Sequence, residues 1–152
     1  MDKGNKEEET WVSFGLIPVK KEQNIYQFLL LKHKNWEGGV DHWSFCKGGP
    51  EPGETELQTA ERELREETNL TLKKWLKGKD GELLSGLMQY EAGKRKIPKT
   101  VRLYVGEVEG EVEIQAEEIS ESRWVNIDDV ESLITYEQEK QLWRELKDKI
   151  SW

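Results

Sequence analysis

The sequence predicts an α/β protein built on a mixed sheet with helices on both faces. Three observations carry this. Two aromatic and aliphatic runs, WVSFGLIPV and IYQFLLL, stand ahead of one capped helical segment that ends near Asn69. A second set of strand-like segments follows it, and the last stretch of the chain has helical periodicity. Strands, one helix, more strands and a terminal helix, in that order, suit a sheet covered on two sides.

Residues 1–10, MDKGNKEEET, carry no apolar residue after Met1 and read as a flexible lead-in. Residues 11–152 are then a single domain, long enough to bury a core without metal or disulfide staples. KKEQN supplies turn chemistry between the first two strands, and EGGVD, from Glu37 to Asp41, reads as a flexible loop. Thr55 with Gln58 three residues on is a capping-box signature, so a helix is expected from about Thr55 to Asn69. KTVRLYVGEVEGEVEI alternates Val101, Leu103 and Val105 against Arg102 and Tyr104, a strand interrupted at Gly110. SRWVNI is another strand. Ile127 to Leu133 reads as a short helix, and Tyr136 to Ile150 as an amphipathic one with Leu142, Trp143, Leu146 and Ile150 on one side.

With 36% charged residues and a net charge of −8, the chain is no candidate for binding nucleic acid or acidic membrane with its whole surface. A single cysteine, Cys46, excludes an intrachain disulfide framework and suits a reducing compartment. No stretch reaches the ~20 apolar residues of a membrane span, and the N-terminus lacks an apolar signal core, so a cytoplasmic protein with no membrane partner is expected.

Glu61 to Asn69 reads ERELREETN, four acidic and two basic residues in nine positions. On a helix Glu63, Glu66 and Glu67 fall at i, i+3 and i+4, which brings their carboxylates to one face. Such anions repel one another unless a cation sits among them, and hard oxygen donors completed by water suit Mg²⁺ or Mn²⁺. Leu57, Ala60 and Leu64 are expected to pin the opposite face into the core. Arg62 is spaced to pair with Glu66, or with Glu54 and the loop ahead of the helix. That loop, KGGPEPGE, combines glycines that open unusual backbone conformations with prolines that stiffen it.

Gly48, Glu54, Arg62, Glu63, Leu64, Glu66, Glu67 and Leu70 stand at the spacings of the Nudix box, and the chain resembles the Nudix hydrolase superfamily there. With residue usage near ~7% each, six fixed positions match by chance on the order of 10⁻⁷ times per register. One position departs: Asn69 stands where the box has its last Gly, and Asn is the next best residue for a left-handed helix cap. The resemblance implies an α/β/α sandwich with a mixed sheet and a hydrolase of nucleoside-diphosphate-linked substrates. It further implies a loop and helix holding divalent ions through Gly48, Glu63, Glu66 and Glu67, with Glu67 or Glu63 as the base and Arg62 orienting the carboxylates.

Three further stretches resemble the asymmetric bis(5'-nucleosyl)-tetraphosphatases of this superfamily: DHWSFCKGG, QYEAGKRKIPKTVRLYV and EEISESRWV. That resemblance makes His42 and Lys47 phosphate-chain contacts, Tyr90 and Tyr136 nucleotide contacts, and Glu118 a further metal ligand with Glu117 as its competitor. Lys94, Arg95, Lys96, Lys99 and Arg102 form a basic cluster in an acidic chain, of use beside a tetra-anionic ligand. The expected partner is a small dinucleoside polyphosphate, diadenosine tetraphosphate, cut to ATP and AMP by a monomeric protein. An RNA 5'-pyrophosphohydrolase is the nearest alternative, since an RNA 5' end would also welcome the basic cluster. A Nudix-fold binding module without catalysis is the alternative from another class, and the complete carboxylate set counts against it.

Overall fold

A computed structural model describes residues 11–35 and 39–150. Its strands are β1 (Trp11–Glu22), β2 (Ile25–His33), β3 (His42–Ser44), β4 (Cys46–Gly48), β5 (Thr71–Trp75), β6 (Ser85–Ala92), β7 (Ile97–Glu109) and β8 (Ile119–Asn126). The helices are α1 (Glu56–Thr68), α2 (Ile127–Leu133) and α3 (Glu137–Lys147).

The strands join in one sheet with the path β3-β2-β1-β7-β5; β4 pairs with β1, β6 with β7 and β8 with β2. β1 and β7 run parallel, from Trp11 opposite Lys99 to Val19 opposite Glu107, while the other pairings are antiparallel. The sheet is therefore mixed. Its β1–β2 hairpin turns on Gln23 and Asn24, both with positive φ, as a tight two-residue turn that follows strand twist requires.

Alternation along the central strands explains the layers. Ile17, Val19, Phe28 and Leu30 pack in one core with Val130 of α2 and Leu142, Trp143 and Leu146 of α3. Their neighbours Leu16, Leu29 and Leu31 pack in a second core with Ala60 and Leu64 of α1. Successive side chains point to opposite faces, so the unbroken apolar run of β2 serves both cores. The result is the expected α/β/α sandwich.

Several expectations need adjustment. Leu57 is only half-buried, and the buried position next to Ala60 belongs to Thr59. Its hydroxyl lies 2.9 Å from Glu54 Oε1 and 3.0 Å from the Thr55 carbonyl, so a polar contact substitutes for an aliphatic one. The last helix stops at Lys147 rather than Ile150. β3, β4, β5 and β6 are strands that periodicity did not pick out: β3, β4 and β5 have only three to five residues, and SGLMQYEA of β6 lacks a clean apolar alternation. The lead-in expected over 1–10 and Glu37 and Gly38 of the expected loop lie outside the described residues; Gly39 to Asp41 form neither strand nor helix. Among the described residues no helix is long and apolar enough to cross a membrane.

Candidate active site

Helix α1 is anchored at both ends by its own sequence. Thr55 accepts a hydrogen bond from the Gln58 backbone N–H, and the Thr55 N–H donates to Gln58 Oε1, the reciprocal pair of a capping box. Asn69 closes the other end in the left-handed region, φ 66°, with its N–H donated to the Arg65 carbonyl. The departure from Gly is thus accommodated by the residue type that tolerates this conformation best after Gly.

Arg62 ties this helix to the loop. Its Nε donates to Glu54 Oε2 at 2.7 Å, Nη2 to the Gly49 carbonyl at 2.9 Å, and Nη1 to Glu63 Oε2 at 2.9 Å and Glu66 Oε1 at 3.1 Å. Both pairings anticipated for Arg62 occur together, and the Arg62 bond, followed by the Glu51 backbone, holds Glu54 down to a pKa of about 2. The guanidinium works through the carboxylates, as a fixed fork that orients them. Gly48 faces the same group: a Cβ there would lie 2.2 Å from Glu63 Oε2, so any larger residue would push that carboxylate out of its place.

The three helix carboxylates differ in environment. Glu67 is buried, with Oε1 unpartnered among the described residues, and burial followed by the nearby Glu63 charge pushes its pKa up to about 9. Burial also raises Glu63, against the pull of Arg62. Glu66 is exposed and turned to Arg62. Glu118, in the turn ahead of β8, lies near enough to act electrostatically on both Glu63 and Glu67, which distinguishes it from Glu117. Among the described residues no three such side chains already stand at ligating spacing, because Arg62 occupies oxygens of Glu63 and Glu66. The residues nevertheless fit a hard divalent cation. An unpartnered buried carboxylate oxygen, a mutually repelling oxygen donor set and a glycine backbone held against it are what such an ion needs.

A cleft of about 410 Å³ lies beside the start of α3, lined by His42, Lys47, Tyr90, Lys99, Tyr136 and Glu139 among others. All five side chains singled out in the sequence for substrate contact meet there. Lys47 links cleft and carboxylates, because its backbone N–H bonds to Glu67 while its side chain lines the cleft. The His42 ring packs 5.2 Å from that of His33 and 5.1 Å from that of Tyr136. Burial, then Lys47 and Lys99, lower its pKa to about 4, so His42 is neutral at pH 7, and its Nδ1 has no partner among the described residues.

Two members of the site were not read from the sequence. Lys47 Nζ donates to Ser44 Oγ at 2.6 Å, and Ser44 Oγ donates to Glu139 Oε2 at 2.7 Å; both Ser44 and Glu139 are fully buried. The signal for Glu139 was present, since a carboxylate three and four residues ahead of Leu142 and Trp143 sits on the apolar face of α3. The basic cluster, by contrast, is divided. Lys99 lines the cleft, Lys94 to Lys96 form the β6–β7 turn, and Arg102 donates to Ser85 and pairs with Glu56. Positions 99 and 102 differ by an odd number along a strand, so they face opposite sides.

This loop–helix unit on an α/β/α sandwich is that of the Nudix hydrolases, and the NUDIX domain family matches residues 9–146 of the chain. The chain belongs to that family and is an enzyme of it. Among its relatives is the rat asymmetrical bis(5'-nucleosyl)-tetraphosphatase, 37% identical over 130 residues that cover 82% of this chain and 80% of the relative. The pig protein of the same name is 34% identical, over 86% and 84% of the two chains. The crystal structure of a C. elegans Ap4A hydrolase binary complex superposes with a TM-score of 0.74 at 27% identity, covering 91% of this chain and 96% of the other.

Proposed function

We propose that this Nudix hydrolase cleaves diadenosine tetraphosphate asymmetrically, to ATP and AMP, with Mg²⁺ or Mn²⁺ held by Glu63, Glu66, Glu67, Glu118 and the Gly48 backbone. One observation carries the reading. Lys47 belongs at once to the carboxylate helix, through its backbone bond to Glu67, and to the cleft that Lys99, Tyr90 and Tyr136 line. A polyphosphate laid along Lys47 would therefore have its nucleoside end among the tyrosines and its scissile linkage at the carboxylates. Relatives named as asymmetrical bis(5'-nucleosyl)-tetraphosphatases support the same choice.

A bound divalent cation supplies neutralisation of the phosphate oxygens and acidification of the attacking water. The chain's own groups do the rest. Lys47 and Lys99 neutralise the phosphate chain, while Tyr90 and Tyr136 offer stacking surfaces worth about 1–3 kcal/mol per base. Neutral His42 presents Nδ1 as a hydrogen-bonding group without adding charge. Glu67 or Glu63 takes the proton as the water oxygen bonds to phosphorus and the bridging P–O bond breaks, and Arg62 keeps their carboxylates aimed. The free, buried Cys46 plays a packing role in the second core and suits the cytoplasmic setting we assign, with the protein acting as a monomer.

The test is a substrate panel with product identification: dinucleoside polyphosphates, triphosphorylated and capped RNA, and nucleotide sugars. ATP and AMP in equal amounts from diadenosine tetraphosphate are expected. Two ADP, or pyrophosphate release from triphosphorylated RNA with no dinucleotide cleavage, would overturn the assignment.

A further inference from the structure

A buried carboxylate facing a cleft built for phosphates calls for an explanation. Glu139 is fully buried on α3, yet it lines the same cleft as Lys47 and Lys99. It reaches Lys47 through one intermediate, the buried Ser44 hydroxyl, by hydrogen bonds of 2.7 and 2.6 Å. These three groups come from β3, β4 and α3, so the chain of contacts also pins the cleft floor to the terminal helix.

We propose that Glu139 is a positioning residue for phosphate binding: through Ser44 it holds the Lys47 ammonium in place, and its charge supports Lys99 as a cation in the same cleft. The proposal rests on the polyphosphate reading above. The Lys47 ammonium beside Lys99 in a partly desolvated cleft disfavours the protonation of Lys99. The groups facing Lys99 are Lys47 of β4, Glu139 of α3, His42 of β3 and His33 of β2, whose pKa burial and Lys47 hold well below the ordinary value so that it adds no charge, with Tyr90, Glu91 and Tyr136 lining the same space. His42 is neutral at pH 7, and burial and Lys47 both lower Lys99 while Glu139 raises it. Glu139 is therefore the group that opposes the loss of the Lys99 proton. The tether has its own effect, because an untethered lysine forfeits rotamer freedom on gripping a phosphate and a held one has already lost it.

The experiment separates charge from tether. Glu139→Gln keeps an acceptor for Ser44 and removes the charge; Ser44→Ala removes the tether and keeps the charge. Binding of inorganic tripolyphosphate is measured calorimetrically in EDTA from neutral to alkaline pH. In Glu139→Gln, affinity should fall with rising pH at least about one pH unit earlier than in the wild type. Adding Lys99→Arg, whose guanidinium keeps its proton, should abolish that early loss. Ser44→Ala should bind tripolyphosphate about tenfold more weakly at pH 7. An alkaline limb unmoved in Glu139→Gln, or no rescue by Lys99→Arg, overturns the counter-charge; unchanged affinity in Ser44→Ala overturns the tether and is informative even where Glu139→Gln fails to fold. Wild-type turnover of diadenosine tetraphosphate is followed alongside. An unmoved limb beside normal turnover defeats this inference alone, whereas absent turnover beside a shifted limb defeats the substrate reading alone.

Discussion

Replacing Glu67 by Gln should make the metal-free protein more stable. The folded chain carries this carboxyl at a pKa of about 9, against an ordinary value of 4.5, because burial and then Glu63 disfavour its charge. At pH 7 an unfolded chain ionises it and the folded one keeps it protonated, so folding must take up a proton at a cost of about 3 kcal/mol. Gln carries no such cost. It does put an amide N–H₂ in place of the oxygen that lacks a partner, leaving a buried donor unpaired, which returns about 1–2 kcal/mol. A net gain of about 1–2 kcal/mol remains, or roughly 2–8 °C in melting temperature for a domain of this size. The pH dependence has a definite sign. A raised carboxyl contributes most below the unfolded value, and that contribution is lost as pH climbs from 4.5 toward about 9. Thermal and urea melts in EDTA from pH 5 to 9 should show wild-type stability declining more steeply than that of the variant. Mg²⁺ or Mn²⁺ should then raise the wild-type melting temperature more than the variant's, as ligation to the native state requires. A variant no more stable than wild type at pH 7, or equal metal-induced shifts, would refute the claim that Glu67 is a strained ligand awaiting a cation.

Other outcomes follow from the same contacts. Gly48→Ala should lower kcat by at least ~10-fold while leaving the melt cooperative, since its Cβ displaces a single carboxylate by 2.2 Å contact with Glu63 Oε2; normal turnover would separate Glu63 from catalysis. Tyr90→Ala and Tyr136→Ala should each cost about 1–3 kcal/mol in kcat/KM for diadenosine tetraphosphate, with inorganic tripolyphosphate binding unchanged because it offers no base. Loss of tripolyphosphate binding in either variant would assign that tyrosine to the phosphates instead. Asn69→Gly, at φ 66°, should stabilise by up to ~1 kcal/mol in thermal melts and keep full activity; a fall in turnover would mean the Asn side chain has a role beyond the helix cap.

The sequence by itself determined the carboxylate-bearing helix. Spacing within one helix is enough to tell which carboxylates share a face, and a cap such as Thr55–Gln58 is a local bond that needs no partner from elsewhere. The long strands were legible for the same reason, as the apolar runs of β1 and β2 announce themselves over nine or more residues. What the tertiary structure decided was which residues meet across the chain. Ser44 and Glu139 are 95 positions apart, and nothing local marks them as bonded. Lys99 and Arg102 look alike in sequence, yet the pairing of β7 sends one into the cleft and the other to Glu56. Glu66 and Glu67 are adjacent acids of one helix, and only the packing of the sheet against it buries the second and leaves the first at the surface. Burial is a property of neighbours brought in from distant parts of the chain, and it is burial that sets the protonation states on which this site depends.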